Sequence, residues 1–145
     1  MGRMHLELRD EFGNLKEVRD SYPHNTVTEL GDAHVADAMS DQGEGALGFM
    51  AVGTGSGQTS ASTGLAVALD INALTSTTQG AGAADNDVVY IGDWAAGDGT
   101  GAITEAGIFL ASNNTSMNYY DDFSAVNKAA GDTLQITWTV TFGAS

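Results

Sequence analysis

Apolar and polar residues alternate without a break across residues 133–142. Leu134, Ile136, Trp138, Val140 and Phe142 are apolar, and Thr133, Gln135, Thr137, Thr139 and Thr141 lie between them. Successive side chains of a strand point to opposite faces, so a period of two predicts one dry row and one row facing water or a neighbouring subunit. At ~3.3 Å per residue the stretch spans roughly 33 Å, enough to cross a small sandwich. An all-β body with this strand at its centre is the expected arrangement.

Residues 4–9 alternate in the same way, and Asp10-Glu11-Phe12-Gly13-Asn14 supplies turn residues before a second strand over about residues 15–22. Together they predict a hairpin. Thr26-Val27-Thr28-Glu29 matches a capping box and predicts a helix at about residues 26–40, with Leu30, Ala33, Val35, Ala36 and Met39 as its apolar side and Gly43 and Gly45 ending it. Further strands are expected at 47–52, 70–78, 87–94, 102–110 and 117–126. Residues 53–64 are small and polar and read as a long, flexible surface loop; residues 65–69 read as a helical turn. The fold class is therefore mainly β, a two-sheet jelly-roll-like sandwich of about eight strands with an N-terminal hairpin and one short helix. Two parts are expected: a hairpin or arm over residues 1–25 and a sandwich body over 26–145.

Composition narrows the chemistry. A chain of 145 residues fits one domain, and the absence of cysteine removes disulfides, thiolate metal sites and a cysteine nucleophile. No apolar run approaches the length of a membrane span, and the charged first twenty residues do not resemble a secretory signal, so a soluble chain not exported by that route is expected. Charge is unevenly divided. In the first nineteen residues Arg3, Arg9, Lys16 and Arg19 balance Glu7, Asp10, Glu11 and Glu17, whereas the remaining fifteen acids face Lys128 alone and give the net charge of -14. Such a body repels phosphate backbones and anionic lipid, so neither nucleic acid nor membrane is an expected partner.

Motifs for catalysis and cofactors are weak. Gly53-Thr54-Gly55-Ser56-Gly57 lacks the lysine of a phosphate-cradling loop and reads as plain loop. His34, Asp37 and Asp41 would share a helix face and read as a solvated face rather than a metal site. Asp85, Asn86, Asp87, Asp93 and Asp98 offer oxygens for structural calcium but miss the spacing of a calcium loop, so no cofactor is assigned. Asp121 and Asp122 alternate faces in a strand and cannot flank one bond together, and His5, His24 and His34 lack a serine in a nucleophile context. The chain is expected not to be an enzyme. Trp94 is a core residue or, less simply, a sugar-stacking one.

Four segments carry a resemblance: Met50-Ala51-Val52-Gly53-Thr54-Gly55; Asn72-Ala73-Leu74-Thr75-Ser76-Thr77; Gly99-Thr100-Gly101-Ala102-Ile103-Thr104-Glu105-Ala106-Gly107-Ile108-Phe109; and Asn127-Lys128-Ala129-Ala130-Gly131-Asp132-Thr133-Leu134-Gln135-Ile136-Thr137-Trp138. With these the chain resembles the small virion structural proteins of tailed viruses, over nearly its full length. The resemblance implies a virion part on the capsid exterior, made in the host cytoplasm. It implies either a decoration (cement) protein bound to the major capsid protein or a tail, neck or head fibre component. A carbohydrate-binding or hydrolytic sandwich is the alternative from another class. On the decoration reading, Arg3, Arg9, Lys16 and Arg19 are the candidate capsid contacts. Glu105, Thr137 and Thr139 are candidate contacts within a homotrimer, with an exposed glutamate beside a bulge as the plainer reading of Glu105.

Overall fold

The alternating stretch forms β10 (Thr133–Thr141), the middle strand of a five-stranded sheet in the computed structural model, which describes residues 2–21 and 25–143. On one side β10 pairs antiparallel with β1 (Gly2–Arg9), which pairs with β2 (Leu15–Ser21); on the other it pairs with β7 (Asp87–Trp94), which pairs with β6 (Ser76–Gln79). We call this sheet A. Sheet B, also of five strands, runs β3 (Thr26–Val27), β9 (Met117–Lys128), β8 (Gly101–Phe109), β4 (Phe49–Gly53), β5 (Ala68–Ala73). The molecule is thus the two-sheet β-sandwich that the patterning predicts, with ten strands rather than about eight: the two-residue β3 is added, and the strand expected at 70–78 becomes β5 and β6.

The inner faces meet in one core. Sheet A brings Met4, Leu6, Leu8, Leu134, Ile136 and Trp138, and sheet B brings Met50, Val52, Ile103, Ile108 and Val126. Burying a large apolar side chain is worth roughly 1.5–3 kcal/mol, so this interlock supplies most of the drive to fold. The dry row of β10 stops at Val140. Phe142 follows the strand and is 38% exposed, because the chain has already left the space between the sheets.

The N-terminal hairpin does not stand apart as an arm. β1 lies between β2 and β10, paired with β10 from Gly2↔Val140 to Arg9↔Thr133, and Met4, Leu6 and Leu8 are fully buried. β2 also reaches across to sheet B: Arg19 donates to the carbonyls of Ser124 (3.1 Å) and Ala125 (2.8 Å) on β9, and Glu17 accepts from the Asn127 amide (3.1 Å). The β8–β9 register shifts just there, between Ile103 and Glu105. Tyr22, the expected end of the second strand, lies outside the described residues together with Pro23 and His24.

Helix α1 spans Glu29–Met39 and is capped by Thr28 rather than Thr26. The Thr28 hydroxyl accepts from the Gly31 amide (3.1 Å) and donates to the Met117 carbonyl (2.7 Å), while Thr26 and Val27 are drawn into pairing with Tyr120 and Tyr119. A cap that also satisfies a buried carbonyl prevails over the local box pattern. The helix ends at Asp41, in the left-handed region at φ 57°, where the Gln42 amide returns to the Asp37 carbonyl (3.0 Å); Gly43 and Gly45 come later. Its expected apolar side is mostly not what packs. Gly31 is buried against β9, where an added Cβ would stand 2.4 Å from the Asn118 carbonyl oxygen, whereas Leu30, Ala33, Ala36 and Met39 are exposed.

The expected strand at residues 70–78 divides in two. β5 ends at Ala73 in sheet B and β6 begins at Ser76 in sheet A, with the chain crossing between the sheets at Leu74 and Thr75. In place of a helical turn Leu65 is irregular and buried, residues 66 and 67 make bends, and residues 68 and 69 open β5.

Candidate functional site

On the outer face of sheet B, Ala51, Phe109, Met117 and Tyr120 form a second, smaller apolar cluster with Leu65 of the segment between β4 and β5. What covers it is the glycine-rich segment between β4 and β5. The fastening is a single carboxylate. Glu105 is fully buried; its Oε1 accepts from the amides of Gly55 (3.0 Å) and Val67 (2.9 Å), and its Oε2 from the Ala66 amide (3.1 Å) and the Tyr120 hydroxyl (3.0 Å). Burying a charge is costly unless every lone pair is met, and four donors converge here. Burial, reinforced by the bond to Glu105, pushes the Tyr120 phenol upward, so it stays a donor.

Glycine is required where the loop crosses the carboxylate. A Cβ on Gly53 would stand 2.4 Å from the Val67 carbonyl oxygen and 2.6 Å from Glu105 Oε1; one on Gly55 would stand 2.9 Å from the same oxygen. Further ties extend the hold. Thr104 donates to the Gly55 carbonyl (2.6 Å), Asp122 accepts from the Gly57 amide (3.0 Å), and the Asn114 side chain accepts from and donates to the Leu65 backbone (2.8 and 3.0 Å). The stretch expected to be a flexible surface loop is a hydrogen-bonded roof. Glu105, expected at a subunit contact or exposed beside a bulge, faces its own chain. The sequence signal was an acid in an otherwise apolar strand; its main partners are backbone amides, which leave no mark in residue identity.

Among the described residues nothing roofs the outer face of sheet A in this way. Thr137 and Thr139 are half-buried there, Thr137 between His5 and Ile91 and Thr139 between Arg3 and Val89. The candidate contact cations spread along this sheet. Arg3 is exposed and makes no ion pair with a described residue; Arg9 pairs with Glu7 (2.8 Å); Lys16 pairs with Asp132 (2.7 Å); Arg19 pairs with Glu17 (3.2 Å) besides its backbone bonds. His5 sits between Asp20 (2.7 Å) and Glu7 (3.1 Å). Bonds to those carboxylates, Asp20 foremost, raise its pKa above the ordinary histidine value, and the same bond from His5 lowers that of Glu7. Lys16 likewise holds the Asp132 carboxyl below the usual carboxylate range. Lys128, almost fully buried, donates to the Ala95 carbonyl (3.1 Å), and burial lowers its pKa.

Other candidates fall apart in space or into the core. Among the described residues no three His, Asp or Glu side chains gather as a metal site. His34 approaches Glu44 (3.4 Å), Asp87 accepts from Thr141 (2.6 Å), and Asp93 accepts from Gln135 (3.0 Å). Asp121 is buried and Asp122 exposed, on opposite faces of β9. Trp94 is fully buried, so stacking on a sugar would require opening the sandwich. Among the described residues no helix is long and apolar enough to cross a membrane.

Fold and site together define an antiparallel β-sandwich with one roofed and one open outer face. Comparison with family models, curated proteins and solved structures returned no match.

Proposed function

We propose that this chain is a non-enzymatic structural protein of a virion, a decoration protein that binds the outer capsid surface and stabilises it by adding contact area between capsomers. One observation carries the reading. The four segments that bear the resemblance lie far apart in sequence, yet residues 50–55 and 99–109 interlock at Glu105, Gly53 and Gly55. Residues 127–138 include most of β10, and residues 72–77 make the crossing between the sheets. The segments that carry the resemblance are thus ones that build the scaffold, which supports the reading.

On this reading the contact face is the outside of sheet A, with Arg3, Thr137 and Thr139 beside the half-buried Val89 and Ile91. A stable contact needs about 800 Å² per partner, a large part of a five-stranded face. The acidic remainder of the molecule would stay in solvent. The test is to quantify the chain by mass spectrometry in particles purified from the culture that encodes it, and to locate its density on them. A copy number comparable to that of the major capsid protein is expected. Absence from particles would refute the virion role, and a few copies per particle would move the chain to a fibre or collar.

A further inference from the structure

The side of α1 that does not pack on β9 borders an apolar groove. Two adjoining hollows of about 470 and 270 Å³ share Val35, Tyr119 and Phe142 as lining residues. Met39, Val88 and Tyr90 extend the larger one. The groove is open to solvent: Met39 is 84% exposed and Phe142 38%. Its existence follows from how the helix docks. Gly31 is buried against β9 in the first turn, while further along the helix Val35 is only half-buried and Met39 is exposed.

The charged groups at the rim are acidic on the side of the smaller hollow, which Asp32 lines and where Asp87 is tied to Thr141 beside Phe142, while His34 edges the larger hollow. No lysine or arginine occurs between Arg19 and Lys128, a stretch that includes α1, the strands bearing Val88 and Tyr90, and Tyr119. An occupant must therefore be apolar where it meets the floor and positive where it meets the edge. A second copy of the groove face would set acid against acid. The groove follows the helix from Asp32 to Met39, about 12 Å, and is open along its length, which suits a polypeptide segment better than an enclosed small molecule.

We infer that this groove is a docking site for a segment of a partner protein that carries apolar anchors flanked by Lys or Arg. The inference stands on the groove alone and holds whether or not the chain belongs to a virion. Its mode is that of an apolar stripe laid into a hydrophobic groove, with flanking charge speeding encounter and fixing register.

The test pans the full chain against a displayed random library of peptides of about twelve residues, which as helices span about 18 Å. A peptide from the enriched pool is then titrated by fluorescence anisotropy on the wild type, on Met39→Glu and on Asp32→Lys, both variants being checked for folding by circular dichroism. Enrichment of Leu, Phe, Ile or Met together with Lys or Arg is expected, with affinity falling about tenfold or more in Met39→Glu. Binding should also weaken in Asp32→Lys and at high salt. Absence of enrichment, an enriched pool without cations, or equal binding to Met39→Glu would overturn the inference. So would a wild-type dimer in sedimentation that Met39→Glu dissolves, since a second copy would then fill the groove. Saturable binding of 8-anilinonaphthalene-1-sulfonate at the groove without peptide enrichment would overturn it in favour of a small apolar ligand.

Discussion

The two sheets share one core but treat their outer faces differently. Sheet A shows solvent a lattice of threonines and paired charges around β10, and β10 alternates between buried and more exposed positions along its length. Sheet B is covered on both faces: in β8 every residue from Glu105 to Phe109 is buried, and the first five residues of β9 are buried as well. A sheet with one wet face writes a period of two into its sequence, whereas a sheet covered twice writes a continuous run. The cover over sheet B brings one buried apolar side chain, Leu65, to the cluster beneath it, and the Glu105 hydrogen-bond hub supplies the rest of the hold.

The sharpest way to break this comparison is to remove the hub. Glu105→Ala leaves the Gly55, Ala66 and Val67 amides and the Tyr120 hydroxyl without their acceptor. A loss on the order of 3–5 kcal/mol is expected in urea unfolding, with new proteolytic cleavage within residues 54–66. A loss under about 1 kcal/mol would mean that the roof is held by something else. Next in size, Gly53→Ala forces a Cβ against the Val67 carbonyl and the Glu105 carboxylate and should cost about 1–3 kcal/mol, with the strain relieved by moving the roof.

The open face should respond oppositely. Thr137→Lys or Thr139→Lys is expected to change monomer stability by less than about 1 kcal/mol, yet to abolish self-association or particle binding if that face is the contact. Light scattering and particle co-sedimentation read the two effects separately. The smallest effect belongs to His5. Its folded pKa is raised above the ordinary 6.5, so its pairing with Asp20 and Glu7 stabilises the fold at acidic pH. That contribution fades as pH climbs through the raised folded value. His5→Gln should flatten the pH dependence of the melting temperature over that window; an unchanged slope would show that the exposed pair contributes nothing measurable.

The same contrast explains what could be read from the chain before its fold was seen. The buried row from Leu134 to Val140, the hairpin and the sandwich were legible because solvent on one side enforces alternation. Glu105 was visible as an anomaly but not as a hub, since the backbone amides of Gly55, Ala66 and Val67, 38 to 50 residues away, carry no residue code. The N-cap was displaced from Thr26 to Thr28 by a carbonyl on β9, a tertiary partner that no local pattern contains. Charge balance suggested a separable arm at residues 1–25, whereas Arg19 and Glu17 instead fasten the edge of sheet A to β9. The groove beside α1 was hidden for a related reason: an apolar helix side ordinarily implies packing, but here a single glycine makes the close contact.

Native-state hydrogen exchange at Gly55, Ala66 and Val67 tests the roof most directly. These three amides should exchange slowly in the wild-type chain and speed up together in Glu105→Gln while the amides of β10 stay protected. Exchange at unprotected rates in the wild-type chain would contradict this.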